Sequence, residues 1–165
     1  MKKILNDQEE FTKFYDRALK FLSYRPRSEK ELLNWFKKKK VSEKTQTLIL
    51  LRLKEQNLVN DEEFVKWWIE QRTVFKPMGK YLIARELKQK GISQNIIDPL
   101  LHGSTVSLPE FDLAKKAAEK KIKTYKNLPP LEFRQKLSAF LARRGFSWEI
   151  VNDILSDQRP RRNNI

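Results

Sequence analysis

Leu32-Leu33-Asn34-Trp35-Phe36-Lys37-Lys38-Lys39-Lys40-Val41-Ser42 decides the reading of this chain, because its pattern returns twice more, as Ile83 to Ile92-Ser93 and as Leu137 to Phe146-Ser147. The three apolar-serine pairs, Val41-Ser42, Ile92-Ser93 and Phe146-Ser147, are 51 and 54 residues apart. Nine residues before each pair's apolar member stand Leu32, Ile83 and Leu137, and five before stand Phe36, Leu87 and Leu141. That spacing marks one face of a helix in each copy. Between the last apolar position and the pair lie basic residues, with Gly91 and Gly145 placed to end their helices in the left-handed conformation beside cations that suit the helix dipole.

Working outward, each serine reads as the N-cap of a following helix. The buried stripes of these helices are Ile49-Leu50-Leu53, Ile96-Ile97-Leu100-Leu101 and Ile150-Val151-Ile154-Leu155. A further helix precedes each pair: Phe11 to Leu22, Asp61 to Arg72 or slightly beyond, and Pro109 to Tyr125. Apolar residues recur at helical spacing almost throughout, only four glycines occur, and β-branched alternation is nowhere sustained. The expected fold is all-α, with three tandem three-helix units. Their boundaries are residues 11–58, 59–103 and 104–157, after a lead of residues 1–10 and before a disordered basic tail, 158–165. Pro129-Pro130 breaks the third unit between its first two helices.

The 165 residues include 35 Lys and Arg against 21 Asp and Glu, a net charge of +14 that attracts polyanions. The charge lies inside helical patterns, so a folded basic surface is expected rather than a loose arm. The absence of cysteine excludes disulfides, thiolate zinc sites and a cysteine nucleophile. The N-terminus lacks the apolar stretch of a signal peptide and no segment approaches a membrane span, so the expected location is the cytoplasm.

Catalytic constellations are thin. The lone histidine, His102, has no ordered partner, and no phosphate-binding glycine loop, nucleophile elbow or His-Glu-x-x-His spacing occurs. Asp61-Glu62-Glu63 reads as complementing the start of its own helix, and Ser28 with Glu31 as a capping box. The expectation is a binding protein without catalytic residues, cofactor or metal. Adjacent Trp67 and Trp68 diverge by about 100° on a helix, so one could serve an inter-unit contact or a partner surface, and Trp35 beside Phe36 poses the same question; the reading preferred for both is a partly buried packing residue. Arg25 and Arg27 exceed what a cap requires; they either bind carboxylates or phosphates or brace the first helix. Lys116, Lys120 and Lys123 form a cationic face opposite Ala114, Ala117, Ala118, Ile122 and Tyr125.

Several stretches resemble the RecX family: Ala18-Leu19-Lys20-Phe21-Leu22-Ser23-Tyr24-Arg25-Pro26-Arg27-Ser28-Glu29-Lys30-Glu31-Leu32, Asn60-Asp61-Glu62-Glu63-Phe64, Arg72 to Gly79, Lys90-Gly91-Ile92, and Phe140 to Ile150. The likeness runs from about Phe11 to Leu155. It implies an elongated, curved array that binds RecA filaments on single-stranded DNA and lies in the filament groove. There it would restrain filament growth, ATP hydrolysis and strand exchange, in the service of DNA repair, homologous recombination and the SOS response. On that reading Arg25, Arg27, Arg72, Lys88, Lys90, Lys116, Lys120, Lys123, Arg143 and Arg144 form one extended face contacting the filament, and the protein acts as a monomer. Whether single- or double-stranded DNA is touched directly is left open. The alternatives are an autonomous DNA-binding protein, in which a helix-turn-helix-like pair enters a groove, and a purely structural adaptor.

Overall fold

The computed structural model describes residues 2–103 and 109–157, with side chains from Asp7 onward. Within them the chain forms nine helices and no strand: α1 Lys2–Ser23, α2 Glu29–Lys38, α3 Glu43–Glu55, α4 Asp61–Val74, α5 Lys80–Gln89, α6 Gln94–His102, α7 Glu110–Tyr125, α8 Pro130–Arg143 and α9 Trp148–Asp157. The all-α class and the threefold repeat expected from the sequence are both present. The tail 158–165 and part of the link after His102 fall outside the described residues. One boundary differs: the first helix starts at Lys2, not near Phe11. Glu10 explains the outer turns, since its carboxylate accepts from Ser42 N (3.2 Å), Ser42 Oγ (2.6 Å) and Thr45 Oγ1 (2.6 Å), while Asp7 pairs with Lys44 at 2.7 Å.

The apolar positions superimposed by the repeat are the cores of the helices. Leu32, Phe36, Ile83, Leu87, Leu137 and Leu141 are all 0% exposed. In the first repeat Leu32 and Phe36 pack with Phe14, Ala18, Ile49 and Leu53; in the third, Leu137 and Leu141 pack with Leu113, Ala118, Val151 and Ile154. Each such side chain removed from water contributes roughly 1.5–3 kcal/mol, so periodicity and core coincide.

The turn from second to third helix is built alike three times. Val41, Ile92 and Phe146 donate back to the carbonyls of Phe36, Leu87 and Leu141 at 3.2, 3.1 and 3.3 Å, and the residues before them donate to Lys37, Lys88 and Ala142. This paired closure requires a left-handed residue after the helix. Gly91 (φ 85) and Gly145 (φ 79) supply it, and Lys40 (φ 57) holds the place in the first repeat. Ser42 and Ser147 then cap α3 and α9 through their hydroxyls, accepting from Thr45 N and Ile150 N.

The repeats are joined by one recurring device. Ser28, the N-cap of α2, completes a capping box with Glu31 and also donates its hydroxyl to the carbonyl of Lys90 at 2.7 Å, in the α5–α6 turn. Asp61, first residue of α4, accepts from Glu29 N at 2.9 Å. Fifty-one positions on from Ser28, Gly79 N donates to the carbonyl of Arg144 at 2.8 Å, in the α8–α9 turn, and Glu110, first residue of α7, accepts from Lys80 N at 3.1 Å. In both joints a leading carboxylate of the next repeat meets a free amide at the start of a repeat's second helix, and a turn carbonyl of that next repeat accepts from the residue before the helix, from the Ser28 hydroxyl in the first joint and the Gly79 amide in the second. Asp61, Glu62 and Glu63 stand in the first turn of α4, where their charge suits the helix start; Asn60 Oδ1 caps that helix, accepting from Glu62 N and Glu63 N, and Asp61 in addition accepts from α2. The chain accordingly divides into two compact units out of step with the repeats, residues up to Trp67 with Leu87–Asp98, and Trp68–Glu86 with the chain from Pro99 on.

Glu31 is the charged hub of the first joint. It takes a two-pronged contact from Arg25 (2.8 and 3.1 Å) and another from Lys90 Nζ (2.7 Å). Burial pushes its carboxyl up, but the hydrogen bonds and charges of Arg25 and Lys90 outweigh that and hold it at about 2, against a usual 4.5. A lowered folded-state pKa means the contribution is present above about 4.5 and is lost as pH falls toward 2.

Two outcomes follow for stability. An added Cβ at Gly79 would meet the backbone oxygen of Gly145 at 2.0 Å, so Gly79→Ala should lower unfolding free energy by about 2 kcal/mol or more in urea melts, as overpacking against rigid backbone does. Glu31→Gln should destabilise the protein at pH 7, and the gap from the wild type should close between pH 4.5 and pH 2. A gap independent of pH would mean that the Glu31 carboxylate contributes nothing to the joint.

Candidate binding surfaces

The ten cations expected at the partner surface fall into different local settings. In the unit holding the first repeat, Arg25 is committed to Glu31 and to the carbonyl of Pro26 (2.8 Å), with its guanidinium 5.8 Å from the Trp67 ring centre. Lys90 reaches the same carboxylate, and Lys88 is exposed in the last turn of α5. Arg27 differs from both. Its guanidinium lies 4.1 Å from the centre of the Phe21 ring, which stacks in turn on Trp35 at 5.2 Å with the ring planes 12° apart. Its Nε is buried with no hydrogen-bond partner. Burial, followed by the charge of Arg25, pulls its pKa below the usual value, while Glu31 opposes that shift.

In the other unit Arg72 braces a side-chain cluster: its Nε donates to Glu86 Oε2 at 2.6 Å, Trp68 Nε1 donates to the same oxygen at 2.9 Å, and the guanidinium lies 4.3 Å from the Trp68 ring centre. Arg144 donates to the carbonyl of Pro77 at 3.2 Å and lies over Phe140. Lys116, Lys120 and Lys123 project from the outside of α7, whose inner side carries the buried Leu113, Ala114 and Ala118, and Arg143 is exposed at the end of α8. Arg25, Lys90, Arg72 and Arg144 therefore hold the fold together as well as carrying charge; Lys88, Lys116, Lys120, Lys123 and Arg143 are exposed.

Two clefts flank Arg27. One, of about 550 Å³, is walled by Leu19, Leu22, Leu58, Phe64 and Trp67, with Arg25, Arg27 and the opposite charge of Glu63 at its lining. The other, of about 390 Å³, lies between α2 and the α5–α6 turn and gathers Arg27, Lys30, Lys38 and Lys90 around Phe21 and Trp35. Sequence reading did not single out Lys30 or Lys38 as site residues. The signal was present, since Lys30, Asn34 and Lys38 recur at four-residue spacing on α2, on a face other than that of Leu32 and Phe36. Exposed aromatics at matching repeat positions, Tyr24 (71%) and Phe75 (75%), were likewise not singled out. Trp35 settles as a packing residue against Phe21 and Phe36.

Among the described residues no group of three His, Cys, Asp or Glu is placed to hold a metal ion. None of their helices is long and apolar enough to cross a membrane.

The same three-part order emerges on comparison with known proteins. Family models for RecX match in sequence: the first three-helix domain at residues 15–53, the second at 60–101 and the third at 109–155. The chain is 36% identical over 138 residues to the regulatory protein RecX of Chlorobaculum tepidum, covering 84% of this chain and 83% of that one. To the regulatory protein RecX of Bacillus licheniformis it is 34% identical over 149 residues, covering 90% of this chain but only 56% of the relative, so it spans about half the length of such longer relatives. A crystal structure of a regulatory protein RecX matches with a TM-score of 0.76 at 28% identity, over 94% of this chain and 77% of the other. With three domain types matched in order and more than a third of residues shared with a relative of similar length, the chain belongs to the RecX family.

Proposed function

We propose that this protein regulates the RecA recombinase, binding the RecA filament on single-stranded DNA in its groove and restraining filament growth, ATP hydrolysis and strand exchange. The observation that carries the reading is the ordered set of three RecX domains, matched at 15–53, 60–101 and 109–155. The chemistry is consistent with it. A helical polymer presents the same subunit surface repeatedly, and a chain of like units joined by like contacts can engage such a surface at several points. The net charge of +14 favours a partner dominated by anions.

Within this reading the exposed Lys88, Lys116, Lys120, Lys123 and Arg143 meet the filament, while Arg25, Arg27, Arg72, Lys90 and Arg144 add contacts to it from partly buried positions. No catalytic group is assigned, because restraint of a filament requires binding and not bond chemistry.

The test is RecA ATP hydrolysis on single-stranded DNA with the protein added at well below one molecule per RecA. Inhibition is expected at that ratio, since blocking one point on a filament affects many subunits. The variant Lys116→Ala, Lys120→Ala, Lys123→Ala should bind filaments about tenfold more weakly, at roughly 0.5 kcal/mol for each exposed charge. Equal affinity for filaments and for bare single-stranded DNA at every salt concentration would sink the reading and leave a general nucleic-acid binder in its place.

A further inference from the structure

The cleft between α2 and the α5–α6 turn has a charge imbalance that the fold does not resolve. Glu31 is the one carboxylate lining it, and that group is already engaged by Arg25, Lys90 and the Ser28 amide. Around the same cleft stand Arg27, Lys30 and Lys38. Arg27 has a buried Nε without a hydrogen-bond partner, in a site where a second guanidinium and burial both disfavour its charge. Its guanidinium sits over the Phe21 ring, 4.1 Å from the ring centre, which limits the directions its donors can take. A desolvated, oriented cation whose nearby carboxylate is taken is set up for an anion from outside.

From this geometry we infer that the cleft formed by Arg27, Lys30, Lys38 and Lys90 beside Trp35 binds the phosphodiester backbone of a single-stranded nucleic acid directly, without RecA. Lys30 and Lys38 lie two helical turns apart along α2, about 12 Å of rise. A line of cations of that length suits a polymer carrying a charge on every residue better than it suits one carboxylate. The Phe21–Trp35 stack beside them offers an aromatic surface of the kind on which an unpaired base rests. The cleft measures about 390 Å³, and the bases of a duplex, already stacked on one another, cannot use that aromatic surface as those of a single strand can. The site goes beyond the RecA reading and does not rest on it.

The test is fluorescence anisotropy of labelled oligo-dT with the whole chain, RecA omitted, over a salt series. Lys30→Gln with Lys38→Gln should weaken binding about tenfold and flatten the salt dependence by about 1.4 in logarithmic slope, the loss of two phosphate contacts to a single strand. Arg27→Lys keeps the charge and loses the planar donor set, and should weaken binding with little change of slope; far-UV circular dichroism confirms that each variant is folded. Wild-type affinity and slope in the Lys30, Lys38 variant would overturn the assignment. So would displacement of the strand by inorganic phosphate at equal phosphate concentration, which means an isolated anion pocket, or by poly-glutamate as effectively as by unlabelled oligo-dT, which means an acidic protein partner. RecA ATPase inhibition is read separately: no strand binding by the wild-type chain with inhibition intact removes this site alone, and strand binding without inhibition removes only the RecA reading.

Discussion

The amides left unpaired at the start of α2 and α5 set the architecture. A helix leaves its first N–H groups without internal partners, and in this chain those of two helices are satisfied by a following repeat: Glu29 N by Asp61 and Lys80 N by Glu110, with the turn carbonyls of Lys90 and Arg144 meeting Ser28 and Gly79. Each repeat after the first thus completes a helix of its predecessor. The contrast is α8, which starts on Pro129-Pro130 with no side-chain cap. Proline at a helix start has no N–H to satisfy, so α8 needs less help from outside.

The two joints use different chemistry in one geometry. At the first, a polar residue and a carboxylate are seated against the turn: Ser28 donates to Lys90 O, and Glu31 holds Arg25 and Lys90 together. At the second, Gly79 stands where Ser28 does and Leu82 where Glu31 does; the backbone of Gly145 comes so close that no side chain fits at Gly79. The ionic network around Glu31 is weakened by acid, and the second joint, with Leu82 in that place, has no counterpart of it. The unevenness also bears on binding, because the Arg25, Lys90 and Glu31 network of the first joint leaves Arg27 in excess beside a cleft, whereas the second joint ties Arg144 to a carbonyl of Pro77.

Much of the fold could be read from the residues alone. The positions Leu32, Phe36, Ile83, Leu87, Leu137 and Leu141, aligned by spacing, are fully buried, and Gly91, Gly145, Ser42 and Ser147 at the turns do what their chemistry suggests. The candidate surface was less legible. Charge type showed that Arg25 and Arg72 were available to a partner, but not that each would be bound to a glutamate and an aromatic ring within the fold. Asp61 was legible as a residue suited to a helix start, yet it serves a helix more than thirty residues earlier.

By itself the sequence determined the helices, their buried faces and the threefold recurrence, because helical geometry ties side-chain direction to spacing and so writes the core into local order. The tertiary structure alone decided which helix ends are satisfied by which repeat, that the first helix reaches back to Lys2 to bring Glu10 onto Ser42, and that Lys30 and Lys38 converge with Arg27. Those outcomes rest on backbone carbonyls and amides, which every residue carries alike, and on approaches between segments up to about sixty residues apart; neither leaves a period or a residue type for the sequence to show.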